Sequence, residues 1–146
     1  MNFRRVFVDG NVIIDLFDER RKNHNSSKEA IRKLLSQGAQ LMTSSDLITT
    51  IYYVLSKIDR KKALADIEKV LQIFSVIPFG SQELTKTLNL MKQDRKFKDL
   101  EDTLQYVLAK AQECELILTN DADFHSPNIK TLTSEEVMKS HDSKAL

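Results

Sequence analysis

VFVDGNVIIDLF, residues 6–17, decides the fold. With Arg5, its first half gives RVFV (5–8), which reads as a short buried strand. Asp9 ends that run. NVIIDLF (11–17) then reads as the start of a helix, with Asn11 as its N-cap. A strand that passes straight into a helix is the unit from which parallel sheets are built.

Outward from this stretch the pattern repeats. Ser26 and Glu29 have capping-box spacing ahead of Ala30, Ile31, Leu34 and Leu35, which share one helical face, and Gly38 fits the position after the helix end. Residues 40–43 predict a second strand. A helix from about Asp46 to Lys57 carries Leu47, Ile48, Ile51, Val54 and Leu55. Another, from about Arg60 to Phe74, turns Leu64, Ile67, Val70, Leu71 and Phe74 inward. SVIP (75–78) predicts a third strand, and Gly80 and Ser81 turn into a helix carrying Leu84, Leu88 and Met91. A helix over about 100–113 buries Leu100, Leu104, Val107, Leu108 and Ala111. ELILT (115–119) is the clearest later strand, and Ile129–Leu132 is one more. Thr133 and Glu136 form a capping box for a short last helix. The expected fold is α/β, a three-layer α/β/α sandwich with a short, mainly parallel central sheet. Residues 1–139 form one domain, and 140–146 a polar C-terminal tail.

Composition narrows the class. The chain of 146 residues, 41% apolar and 29% charged, can bury a real core as one domain. Three Gly and two Pro exclude a Gly/Pro-rich or collagen-like segment. No apolar run approaches the roughly 20 residues of a membrane helix. MNFRRVFVDGN lacks signal-peptide character, because its apolar stretch meets Asp9 at once. Cys114 is the single cysteine, so a disulfide within the chain and a Cys-rich zinc site are excluded. Its reading is a small buried side chain, and the expected compartment is the cytoplasm.

A net charge of +1 says nothing about partners, but its distribution does. Arg20, Arg21, Lys22 and Lys28 form one basic stretch, and Arg60, Lys61 and Lys62 another. Lys92, Arg95, Lys96 and Lys98 precede the acidic group Asp99, Glu101 and Asp102. Basic residues beside an acidic pocket suit a polyanion gripped next to bound metal; the alternative is solvated helix ends and loops.

Acids recur where strands stop. Asp9 ends the first strand, Asp121 follows ELILT after Thr119 and Asn120, and Asp102 sits in the first turn of the helix near Leu100. In open α/β sheets, sites form beyond the carboxyl ends of strands. Clustered carboxylates repel and desolvate badly, which a divalent cation relieves. Mg²⁺ and Mn²⁺ prefer such hard oxygen ligands. Each acid also has a structural reading. Asp99 can be an N-cap with Glu101 and Asp102 favoured by the helix dipole. Asp121 and Asp123 can be turn residues, and Asp15 and Asp18 read as exposed or capping acids. His24, His125 and His141 lack metal-ligand spacing; His125 reads as an exposed loop residue, with a place near the site, after Asp123 and Phe124, as the alternative. No P-loop, GxGxxG or Ser-His-Asp order occurs. Tyr52 and Tyr53, on a helix with apolar neighbours, suit packing better than base stacking.

These residues bring a resemblance. VFVDGNVIIDLF (6–17) resembles the opening of PIN domains, a strand followed by Asp-x-Asn-Val-Ile-Leu-Asp. LEDTLQYVLAKAQECELILTNDADF (100–124) resembles their second half: Asp-Ala-Leu, a helix, a strand, then Thr-x-Asp-x-Asp-Phe. TSSDLITTIYYVLSK (43–57) resembles the middle of the branch that holds bacterial VapC-type toxins. Order and spacing agree across residues 3–124.

The resemblance implies a ribonuclease that hydrolyses RNA phosphodiester bonds with Mg²⁺ or Mn²⁺. By it, Asp9, Asp102 and Asp121 are the catalytic, metal-holding acids. Asn11 is a supporting polar group, Thr119 the hydroxyl beside the metal, and Ser44 or Ser45 lines the pocket. Arg20, Arg21, Lys96 and Lys98 would hold the RNA backbone. The toxin branch further implies a homodimer and a small antitoxin partner, with helices at 26–37 and 46–57 as interfaces. One departure stands out: the family usually has a Glu where this chain has Thr50. Asp46 lies one helical turn earlier, and Glu101 or Asp123 could compensate. The departure motivates a rival, a catalytically weakened PIN domain that binds RNA or protein. A phosphatase of haloacid-dehalogenase type wants a second aspartate where Asn11 stands.

Overall fold

The computed structural model of the protein describes residues 2–140; His141 and most of the expected tail lie outside them. β1 (Arg5–Val8) is buried over Val6, Phe7 and Val8, and leads at once into α1 (Gly10–Phe17). α2 (His24–Ser36) follows, then β2 (Gln40–Ser44), α3 (Ser45–Ser56), α4 (Arg60–Ile73) and β3 (Ser75–Ile77). The second half is α5 (Ser81–Gln93), α6 (Leu100–Ala111), β4 (Leu116–Leu118), β5 (Lys130–Leu132) and α7 (Ser134–Lys139). Gly38 takes φ +85°, the left-handed turn that ends α2 and that a side chain disfavours.

The five strands form one all-parallel sheet in the order β3-β2-β1-β4-β5. Crossovers between parallel strands are right-handed. The chain steps from β1 to β2 to β3 in one direction, so α1 to α4 lie on one face. It then returns across the sheet to β4, which carries α5 and α6 to the other. α7 packs back on α2, in the first layer. The direction reverses between β1 and β4, whose register pairs Val8 with Leu118. Such a reversal opens a crevice at the carboxyl ends of the two strands, because their following segments leave to opposite faces. Asp9 and Thr119 stand at its two lips.

The expected sandwich is therefore observed. Its local details differ in ways with physical causes. Asp9, rather than Asn11, occupies the N-cap position of α1, because the strand ends and the helix begins with no intervening loop. At Gly10 the helix start approaches α3 so closely that an added Cβ would stand 3.2 Å from Leu47 Cδ2. The Ser26–Glu29 capping box does not form: α2 begins earlier, at His24, and Ser26 Oγ donates to the Asn23 carbonyl. The Thr133–Glu136 capping box does form.

Leu64, Leu71, Leu84, Leu88, Leu100 and Ala111 are exposed or half-exposed rather than buried. α4 seats itself through Ala63, Asp66 and Val70, and α5 buries Thr87, so each helix covers a narrower arc than its apolar stripe spans. Asp15 and Asp18 are buried, not exposed. Asp15 accepts from Arg21 Nε at 2.7 Å, from Ser27 Oγ at 3.1 Å and from Asn120 Nδ2 at 3.0 Å. Ser134 N–H donates to Asn120 Oδ1 at 2.8 Å, so one polar cluster joins α1, α2, α7 and the loop after β4. Each buried polar group there meets a partner, which is what allows it inside. Cys114 is buried as expected, and its thiol is pushed up to about 11 by burial.

Candidate active site

The crevice is built from three segments. β1 delivers Asp9, 4% exposed, whose backbone N–H bonds the Leu118 carbonyl at 3.0 Å. The loop after β4 supplies Thr119 and Asp121. Thr119 Oγ1 donates to Asp9 Oδ2 at 2.9 Å and accepts the Asp121 N–H at 3.1 Å. One hydroxyl thus joins the carboxylate of the first acid to the backbone of the last. Asp121 Oδ1 in turn accepts the Asp123 N–H at 2.9 Å, which closes a tight turn. α6 brings the third segment. Asp99 caps it, Oδ1 accepting the Asp102 N–H at 2.9 Å, and Glu101 and Asp102 occupy its first turn.

Electrostatics record the convergence. Burial and then the charges of Asp9, Asp99, Asp121 and Glu101 push the Asp102 carboxyl up to about 7. Glu101 is raised by burial, then by Asp46, Asp9 and Asp99. Asp9 is raised by burial, against hydrogen bonds from Thr119 and Gln105 that favour the anion. The backbone N–H groups of Gly10 and Asn11 add to that, although no side-chain capping bond closes there. Like charges held this close in a partly desolvated place are the situation a cation resolves.

A cavity of about 600 Å³ opens in front of the acids. Asp102, Asp121 and Asp123 line it together with Lys96, Lys98 and His125. His125 is thus less exposed than expected: Nε2 lies 3.3 Å from Asp94 Oδ2, and the ring stands edge-on to Phe97 at 4.5 Å. Ser44 is buried and its Oγ donates to Asp46 Oδ1 at 2.5 Å, so this pair sits at the start of α3 facing Glu101. Asn11 is exposed on α1, and Thr50 and Ser45 are exposed on α3. Arg20 and Arg21 stand apart from the cavity, where Nε of each is taken up by Asp18 and Asp15 respectively. Tyr53 is 62% exposed with Lys57 Nζ 4.2 Å over its ring, while Tyr52 packs on the core.

Two side chains of the site escape a reading of the sequence. Gln105 is fully buried, and its Nε2 donates to Asp9 Oδ1 at 3.3 Å. Its one signal is a polar residue that shares a helix face with Leu108 and Ala109. Asn120, between Thr119 and Asp121, ties the site loop to Asp15 and Ser134. The donor set suits a hard divalent cation: carboxylate oxygens from β1, α6 and the β4 loop, crowded enough to raise Asp102. Among the described residues no three acidic, His or Cys side chains are grouped closely enough to hold a metal ion as they stand; the acids share an electrostatic field instead.

Comparison with known proteins agrees with this architecture. The family model described as PIN domain matches residues 6–130. The chain is 63% identical over 136 residues to Ribonuclease VapC1 of Aquifex aeolicus (strain VF5), covering 93% of this chain and 94% of that protein. DNA-bound VapBC from Salmonella typhimurium matches at TM-score 0.69 and 18% identity, over 90% of this chain and 98% of that one. VapC20 of Mycobacterium tuberculosis, a sarcin-ricin loop cleaving toxin, matches at TM-score 0.67 and 17% identity, over 82% and 92%. At these identities the solved structures speak for the fold, and the family model and the near-full-length relative speak for descent. The chain belongs to the PIN domain family.

Proposed function

We propose that the protein is an endoribonuclease that hydrolyses RNA phosphodiester bonds with a divalent cation, Mg²⁺ or Mn²⁺, held by Asp9, Asp102 and Asp121. The observation that carries this is the meeting of these three acids, distant in sequence, at the β1/β4 reversal, with the Thr119 hydroxyl joining two of them. Kinship to Ribonuclease VapC1 supports the same reading. When bound, the cation would polarise the attacking water and neutralise charge on the phosphate. The chain's own residues do the rest. Thr119 donates to Asp9 Oδ2 and Gln105 to Oδ1. Lys96 and Lys98 line the same cavity as Asp102 and Asp121, where they would take the phosphates flanking the scissile bond. Asp46 and Glu101 add negative charge on the side where the family usually has its second acid.

The same kinship supports a place in a toxin–antitoxin pair, with a small antitoxin as partner, a homodimer as the working unit and the cytoplasm as its compartment. Among the described residues no helix is long and apolar enough to cross a membrane. Exposed Tyr53, Ile58, Leu64 and Leu71 give α3, α4 and their connection an apolar surface suited to an interface. Residues 1–139 would make up the nuclease domain.

Thr50 favours one second reading, a weakened enzyme that binds RNA or a protein. Incubation of the purified protein with a mixed RNA pool decides between the two. The proposal expects cleavage with Mn²⁺ that EDTA abolishes and that Asp102→Asn loses. RNA binding without cleavage at any metal concentration would establish the second reading.

A further inference from the structure

We infer that Gln105 is a positioning residue of the active site: its side-chain amide, buried in α6 one turn beyond Asp102, fixes the orientation of the Asp9 carboxylate. The inference rests on the reading of Asp9 as a site acid. Gln105 is fully buried, and Leu108 and Ala109, which share its helix face, are buried with it. Nε2 donates to Asp9 Oδ1 at 3.3 Å while Thr119 Oγ1 donates to Oδ2 at 2.9 Å. Each carboxylate oxygen therefore has its own donor, and two donors on two oxygens define the plane of the group. Without the amide, Thr119 is the one side chain among the described residues that donates to the carboxylate, and with the backbone N–H groups of Gly10 and Asn11 it leaves the group freer to rotate about its Cβ–Cγ bond.

The other end of the amide shows what this arrangement costs the core. Gln105 Oε1 is the buried side-chain polar atom that finds no hydrogen-bond partner among the described residues. The amide cannot be turned to relieve it, since a carboxylate has no proton to give and two oxygens would then face each other. An unpaired buried acceptor is destabilising, and a methionine or leucine of similar volume would fill the same space without one. A side chain kept only for packing would not be an amide here. What the amide provides is a fixed Asp9, and groups that orient a metal-holding carboxylate are part of the site's working parts.

The test compares wild type, Gln105→Met, Asp9→Asn and the double variant by Mn²⁺ titration, read as thermal shift, and by RNA cleavage. Gln105→Met should raise the Mn²⁺ midpoint and lower kcat about 10- to 100-fold, with KM for RNA unchanged. The metal-free melting temperature should hold within about 3 °C. Adding Gln105→Met to Asp9→Asn should cause no further loss, because the amide then has no carboxylate to orient. Where Gln105→Met does not fold, Gln105→Asn, polar but too short to reach, reads the same quantities. An unchanged Mn²⁺ midpoint and kcat would overturn the inference, as would a metal-free destabilisation that accounts for the lost activity, or a full further loss in the Asp9→Asn background. If Asp9→Asn alone binds Mn²⁺ as wild type does, the site reading fails and takes this inference with it.

Discussion

Replacing Asp102 with asparagine should stabilise the metal-free protein at pH 8 and abolish its response to Mn²⁺. Burial and four neighbouring acids lift the Asp102 carboxyl from its ordinary 3.8 to about 7. In an enclosed site that lift corresponds to about 4 kcal/mol between the two protonation states. Asp102 is only half-buried, and solvent screening cuts the figure to about 1.5 kcal/mol. The value in the folded state lies above that in the unfolded chain, so the native protein loses stability as pH rises from about 4 through 7. At pH 8 the penalty is fully present, and asparagine removes it. At pH 4 the carboxyl is largely neutral in the native state, and wild type and variant should differ little. For a domain of this size about 1.5 kcal/mol moves the melting temperature by roughly 3–6 °C. Thermal unfolding in EDTA at pH 4, 6 and 8 measures the trend. Mn²⁺ should then raise the wild-type midpoint at pH 8 and leave the variant's unmoved. A variant that is less stable than wild type at pH 8, or one that Mn²⁺ stabilises equally, would refute the reasoning.

Three other outcomes are expected. Thr119→Val leaves Asp9 Oδ2 and the Asp121 N–H without their shared partner, costing about 1–3 kcal/mol in urea unfolding, and Thr119→Ser should recover most of it. Asp15→Ala strands Arg21, Ser27 and Asn120 around a missing carboxylate; a destabilisation of about 3 kcal/mol in the same assay is expected, together with weaker RNA cleavage as the loop bearing Asp121 loosens. Lys96→Ala with Lys98→Ala should weaken binding of a single-stranded RNA across sequences and flatten its log–log salt dependence by about 0.7 for each phosphate no longer neutralised, measured by fluorescence anisotropy with EDTA present.

The sequence by itself determined the order of elements and the class of the fold. VFV (6–8) within RVFV and LIL (116–118) within ELILT are apolar at every position, as a sheet covered on both faces requires, and the helices between them announce parallel strands. It also exposed Asp9, Asp102 and Asp121 as acids at or just beyond strand and helix ends, because a residue's place beside an expected element is a local feature. Tertiary structure alone decided how these features are used. Periodicity shows which residues share a helix face but not how wide an arc a neighbour covers, and so Leu64, Leu84 and Leu100 are exposed. Spacing cannot reveal that Asp15 is buried, because the groups around it, Ser27, Asn120 and Ser134, come from three other segments. Nor can it show that Gln105 and Thr119 clamp Asp9 from 96 and 110 residues away. Hydrogen bonds and charges act over ångströms in space, whereas the chain records only distance along itself.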